Sequence, residues 1–322
     1  MSNRFDYNQK KYSLNDFIAD FREQIHIKDK NIIIFNPIII RKKYVIDDYD
    51  IVLSDGANIS FANRGKLVIN SNIKTSSDRE KKIIIQSIDG SGIIVFNNKV
   101  EFNNVIFQNF NLSNNSTYDQ LNYTSPITFI NSIANLYNIK FKNILAEDSV
   151  NFINSNLDID ELAIYGNKKS DCIDLDFCKG RLSNIIINDC FNDGIDFSFS
   201  EIDINGINVS AINDNAISIG ENSNIKIKAV SIDKSFLGIA IKDGSSAKIN
   251  DAYIKNSTYG IAVYRKKNYF LDPQLNISKL NFKNVEKNRQ ILADKDYQFF
   301  LNNEMLSLNK NIEIDFFNEE KK

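Results

Sequence analysis

The chain has 322 residues, with 39 Lys+Arg against 41 Asp+Glu and a net charge of -2. That balance argues against a nucleic-acid binder, which presents a clearly basic face. The single histidine, His26, sits in EQIHIKDK with no Ser or Cys within several residues. It reads as structural, and Ser-His-Asp, Cys-His and His-rich zinc chemistry are excluded with it.

The length predicts two domains or one elongated architecture. The composition is extreme: 52 Ile and 47 Asn, but 12 Gly, 3 Pro and no Trp. At the front, MSNRFDYNQKKYSLNDF lacks the basic-then-apolar layout of a signal peptide. A cytoplasmic protein is expected, unless the chain belongs to a longer or otherwise exported one. Ser13 to Asp16 then reads as a helix start, with Leu14, Phe17, Ile18 and Phe21 on one face. This short amphipathic helix is expected to cap whatever follows. No run reaches 18 apolar residues, so membrane insertion is not expected.

The body of the chain is organised by internal repetition. The segments DCIDLDF, DGIDFSF, NAISIGE, LGIAIKD and YGIAVYR place Ile173, Ile195, Ile217, Ile239 and Ile261 at successive intervals of 22 residues. A second column runs through Leu182, Ile204, Ile227 and Ile249, and a third through Ile185, Ile207, Val230 and Ala252. Ile139 and Leu162 extend the pattern backwards, and VEFNNVIF from Val100 reads as an earlier turn before a loop around Asn111–Ser125. Each unit holds two or three short alternating strands broken by Asn, Asp, Gly and Ser. Such a unit closes one turn of a coil, and stacked turns pair in parallel about 4.8 Å apart. Isoleucine suits the interior because β-branched side chains stack well on a buried pleat. Asn suits the corners because it tolerates left-handed backbone angles.

The predicted architecture is an all-β, right-handed parallel β-helix of about ten turns. It divides into a cap with a helix and first strands (1–50), the β-helix (51–285), and a C-terminal cap with a charged tail (286–322). Cys172, Cys178 and Cys190 are odd in number and lack a CxxC pair, so reduced, partly buried thiols are expected. The sequons at Asn114, Asn115 and Asn122 carry little weight in so Asn-rich a chain.

The segments SDCIDLDF, NDGIDFSFS, NAISIGENS, GIAIKDGSSAKI and GIAVYRKK resemble the repeats of pectate-lyase-like β-helix proteins. More narrowly, they look like the β-helix repeats of bacterial proteins that also carry a CotH-like kinase domain. The likeness spans about residues 90–267, and no kinase signature is visible in the chain. NDGID (Asn192 to Asp196) is a partial echo of the aspartate motif of polygalacturonase-type hydrolases, whose His-bearing motif is missing.

If Ile173, Leu175 and Phe177 point inward, Asp174 and Asp176 point outward. The repeat then predicts two outward columns: Asp174, Asp196, Ser218, Ala240, Ala262, and Asp176, Ser198, Gly220, Lys242, Tyr264. Their small central residues predict a trough along the coil, suited to an extended polymer. Asp174, Asp176, Asp196, Lys242 and Tyr264 are the candidate catalytic groups: carboxylates about 5 Å apart can act as acid and base. Lys242 or Tyr264 can serve as the base of an elimination or epimerisation. Ser198, Ser218 and Arg265 are the candidate substrate contacts, and Asp174 with Asp196 can hold Ca2+. Two readings follow: a carbohydrate-active protein that binds, and cleaves or epimerises, an acidic polysaccharide, or a non-catalytic solenoid module associated with another enzyme or the cell surface.

Overall fold

A computed structural model describes residues 11–76, 82–112, 123–293, 298–302 and 304–305. The three sequons and the EEKK tail lie outside the described residues, apart from Tyr123 and Thr124 of the last sequon. The fold is a parallel β-solenoid of about eleven turns, 64% strand, with one α-helix. It divides into two compact units, residues 1–156 and 157–322.

The first unit opens on α1 (Leu14–Phe21), where Ser13 and Asp16 form the expected capping box. Phe17 and Phe21 are buried and pack edge-on and tilted against Tyr44. Asp20 takes hydrogen bonds from Lys42 and from the Tyr44 hydroxyl, which ties the helix down at its polar side. After an antiparallel hairpin (Ile25–Lys28 with Asn31–Ile34) the described pairing is parallel as far as Gln298–Leu301, which pairs antiparallel with Glu304–Met305. The parallel pairing is in place from Asn31, where Ile32 faces Ile51, and from Ile38, which faces Ile59. Phe96, Phe129 and Phe152 form a buried stack at 4.7 Å steps, the aromatic counterpart of an isoleucine column.

The second unit holds the regular repeat, and its register is the one the 22-residue spacing predicts. Ile173, Ile195, Ile217, Ile239 and Ile261 pair turn by turn, followed by Ile291. Leu182, Ile204, Ile227 and Ile249 do the same, as do Ile185, Ile207, Val230 and Ala252. Each turn therefore presents three faces. The first is built on Asp171–Asp176 and Ile195–Ser198, the second on Lys179–Ser183 and Glu201–Ile204, and the third on Ile185–Cys190. In later turns the faces merge into long bent strands such as Asn224–Lys242.

The corners explain the asparagine. Of the 24 non-glycine residues with positive φ among the described residues, 12 are Asn. That is the left-handed region that Asn enters at little strain. Their amides also link successive turns: Asn154 donates to Asn131, Asn131 to Asn97, and Asn97 to Asn70. A buried serine ladder does similar work inside the second unit. The Ser200 hydroxyl accepts from the Cys178 amide, Ser223 accepts from Ser200, and Ser245 accepts from Ser223.

The cysteines depart from expectation. Cys172 and Cys190 form a disulfide, their Cα atoms 5.8 Å apart, and only Cys178 is a free, buried thiol. The two are 18 residues apart, near the ends of the first and third faces of one turn. There the coil closes on itself, a proximity that sequence spacing rules for small secreted domains do not anticipate.

Two stability experiments follow. Ser223→Ala leaves the buried Ser200 amide without its acceptor, and denaturant titration should show a loss of about 1–3 kcal/mol. Cys190→Ala opens the staple, and under oxidising conditions the same titration should show a loss of about 2–4 kcal/mol.

Candidate functional site

The predicted outward columns exist. Asp174, Asp196, Ser218, Ala240 and Ala262 are paired in one line, and Asp176, Ser198 and Gly220 in the next, where Lys242 pairs with Tyr264. The face is nevertheless not the open trough that alternation alone predicts. Ser218, Ala240 and Ala262 are fully buried, and Tyr264 is 1% exposed, so Ser218 and Tyr264 do not reach solvent. Two side-chain placements account for this. Ala240, Ala262 and Tyr264 are packed into a cluster with Leu237 and Tyr259, against which Phe236 and Leu292 lie. Lys242 runs back along the coil over Gly220, whose missing Cβ would stand 3.4 Å from the lysine Cε. A small residue in this column makes room for a neighbour's long side chain rather than for solvent.

What remains accessible is the acidic end. Asp174, Asp176, Asp196 and Ser198 are partly exposed, and Lys242 is half-buried at their edge. Asp196 Oδ1 and Ser218 Oγ are buried with no hydrogen-bond partner in the protein. Among the described residues Lys242 makes no hydrogen bond or direct ion pair. Burial pulls its ammonium down, but Asp196, Tyr264, Asp193 and Glu221 outweigh that and hold it above its ordinary value. The surrounding negative groups thus favour the charged form of Lys242.

The carboxylates beside it differ in state. Burial raises Asp176, helped by repulsion from Asp196 and Glu221. Burial also raises Asp193 well above its ordinary value, with Asp196 adding repulsion. Burial lifts Asp171 from 3.8 to about 6 against the hydrogen bonds it accepts from the Asp193 amide and the Asn192 side chain. Asp193 in turn accepts from the Asn215 amide and side chain. Asp171 and Asp193 thus cap the next turn, as their position at the strand starts predicts. Glu221 behaves oppositely: burial would raise it, but the Lys267 and Ser198 hydrogen bonds pull it below its ordinary value.

Arg265, expected to touch substrate, is instead ion-paired with Asp272 at 3.3 Å inside the 265–273 loop. That loop is anchored by Asp243, which accepts from the Lys266 and Lys267 amides. It also reaches back along the coil, pairing Lys267 with Glu221 and bringing the Phe270 ring to 6.1 Å from Phe199.

Sequence reasoning missed the corner between the first and second faces. Phe177 and Phe199 stack there at 4.8 Å with rings within 2° of parallel. They are 54% and 43% exposed, and both have positive φ, 56° and 52°. A bulky residue in that conformation is a genuine outlier. The spacing of 22 residues between them carries the signal, and alternation, which places Phe177 inward, hides it. Among the described residues no group of three or more His, Cys, Asp or Glu side chains is arranged to hold a metal ion. No helix there is long and apolar enough to cross a membrane.

No family model matches the sequence, and no curated protein matches it either. Among solved structures the chain is similar to the periplasmic alginate epimerase AlgG, at 12% identity over 90% of this chain and 83% of that one, with a TM-score of 0.39. A double mutant of the same enzyme gives 11% identity over 91% and 84%, with a TM-score of 0.38. At that distance function has to be read from the residues themselves.

The raised Asp171 makes a pH prediction. A folded-state value above the unfolded one means that the folded chain holds the proton more tightly. The stabilisation is complete below about pH 4 and is lost as the pH rises through about 6. Asp171→Asn keeps an acceptor for both hydrogen bonds and cannot ionise. Its stability should fall less between pH 4 and pH 8 than that of the parent, and at pH 8 it should exceed the parent by about 1–3 kcal/mol in denaturant titrations.

Proposed function

We propose that the protein is a carbohydrate-active β-helix protein that binds an acidic polysaccharide along the first face of its second unit and cleaves or epimerises it there. The observation that carries this reading is the pairing of a half-buried, charged Lys242 with Asp196, whose Oδ1 is buried and unpartnered. A cation and a carboxylate held near each other without neutralising one another by a direct contact are poised for a third group.

In this reading Lys242 takes the carboxylate of a uronate residue and stabilises the charge that grows on it once the neighbouring proton is removed. Asp196 accepts that proton. Asp176, whose carboxyl is raised by burial, returns one to the leaving oxygen in a cleavage or to the opposite sugar face in an epimerisation. Asp196 and Asp176 could serve as the acid–base pair of a hydrolysis equally well. The Phe177 and Phe199 rings at the rim offer an apolar surface to a sugar ring. Asp174 and Asp196 remain the pair that would share Ca2+.

The second reading, a non-catalytic solenoid module attached to or working beside another enzyme, is favoured by the burial of Ser218 and Tyr264. Ser218 in the middle of the face and Tyr264 at its far end are thereby withdrawn from the path that an extended polymer would need to follow.

Absorbance at 235 nm follows elimination, a reducing-end assay follows hydrolysis, and proton NMR of the polymer follows epimerisation. On a panel of acidic polysaccharides one of the three should respond. Asp196→Asn and Lys242→Met should each reduce that response by about 10²–10⁴ while the circular dichroism stays that of the parent. Silence in all three with a folded parent protein selects the module reading.

A further inference from the structure

The second face of the second unit, away from the Asp196–Lys242 cluster, carries a groove of about 500 Å³. Its lining holds Arg181, Lys226, Lys228 and Lys248 against a single acid, Asp203. In a chain of net charge -2 that is a local reversal of sign. The sheet register creates it: Arg181 pairs with Asp203, Asp203 with Lys226, and Lys226 with Lys248. Lys226 and Lys248 therefore stand one turn apart, about 4.8 Å along the coil. Lys228 stands two residues on from Lys226, on the same side of the strand.

The four cations are not equally engaged. Arg181 holds Asp158 through two hydrogen bonds, 2.8 and 2.9 Å long, and Lys226 lies 3.5 Å from Asp203. Both pairs are exposed, and such pairs contribute little, so either cation can turn to a ligand at small expense. Lys228 and Lys248 are exposed and have no ion partner among the described residues. Beside them, two residues on from Arg181, Asp203 and Lys248, lie Ser183, Asn205 and Asn250, whose hydroxyl and amides match sugar hydroxyls.

We infer that this groove is a binding site for a linear, carboxylated polysaccharide, separate from the acid-rich first face. The favoured occupant follows from the lining. An anionic polymer is required by the charge. A single-stranded nucleic acid would need aromatic side chains on which its bases stack, and the groove contains none. A polyuronate needs cations at intervals close to one sugar residue with hydrogen-bonding groups alongside, and the parallel ladder sets Lys226 and Lys248 one turn apart, with Asn205 and Asn250 in the neighbouring column. The site does not depend on any reaction at Asp196. It gives an acidic chain a place to bind on a protein whose other candidate face is itself rich in carboxylates.

The test is affinity electrophoresis and calorimetry with polygalacturonate, neutral dextran and oligo-dT, run on the whole protein and on Asp196→Asn so that turnover cannot consume the probe. Polygalacturonate should bind both, dextran and oligo-dT more weakly or not at all, and affinity should fall steeply between about 50 and about 200 mM salt. Lys228→Gln with Lys248→Gln should weaken polygalacturonate binding by about tenfold or more and flatten the salt dependence. The exposed pair Lys234→Gln with Lys283→Gln should leave binding within about twofold of the parent. The proposal is overturned if the Lys228/Lys248 double variant binds as the parent does, if dextran or oligo-dT binds as tightly as polygalacturonate, or if polygalacturonate does not bind at low salt. Loss of catalysis in Asp196→Asn with binding retained would speak to the first face only.

Discussion

Everything in this protein depends on one constraint: each turn must place its residues in register with those of the turn before. Parallel pairing of Ile173, Ile195, Ile217, Ile239 and Ile261 fixes that register from inside. The same pairing dictates what meets on the outside, because side chains alternate strictly across a strand. The register set by the repeated isoleucines thus decides which side chains become neighbours on the surface as well. The acidic end of the first face and the cationic groove of the second are both products of that stacking.

Like charges held a turn apart cannot all remain in their ordinary state. On the first face the conflict is settled in three ways. Asp171 and Asp193 become turn caps and hold their protons more tightly. Glu221 is neutralised by Lys267 from the 265–273 loop. Lys242 leans back over Gly220 into the remaining negative potential. On the second face the cations stay solvated, and Arg181 and Lys226 take exposed acids as partners. In the proposed reading, the contrast between a half-buried cluster and an open, hydrated one separates a reactive site from a recruiting one.

Much of this was legible in the sequence. The three apolar columns, the helix with its Ser13–Asp16 box and the Asn-rich corners were set by local periodicity and by backbone preference, and both are properties of short segments. The outward columns were legible as well, but their exposure was not. Tyr264 packs with Leu237 and Tyr259, and Lys242 lies over Gly220; no strand pattern records where a long side chain lies down. Cys172 and Cys190 meet because a coil returns to its start, a three-dimensional fact that their spacing conceals. Phe177 and Phe199 were misread for a related reason: alternation continues formally through a corner, while the left-handed backbone there turns the side chain out. The cationic groove went unnoticed because Arg181, Lys226 and Lys248 lie far apart in the chain and look like scattered solvated charges until the ladder aligns them.

The loop at 265–273 has a mechanical consequence. In a solenoid each turn normally touches only its two neighbours, so the ends can fray turn by turn. Here Lys267 holds Glu221 and Phe270 reaches Phe199, contacts that span 46 and 71 residues of sequence. The strap couples turns that would otherwise separate independently. It should make this stretch of the coil open as one cooperative block, keeping the charged cluster on the first face assembled while terminal turns breathe.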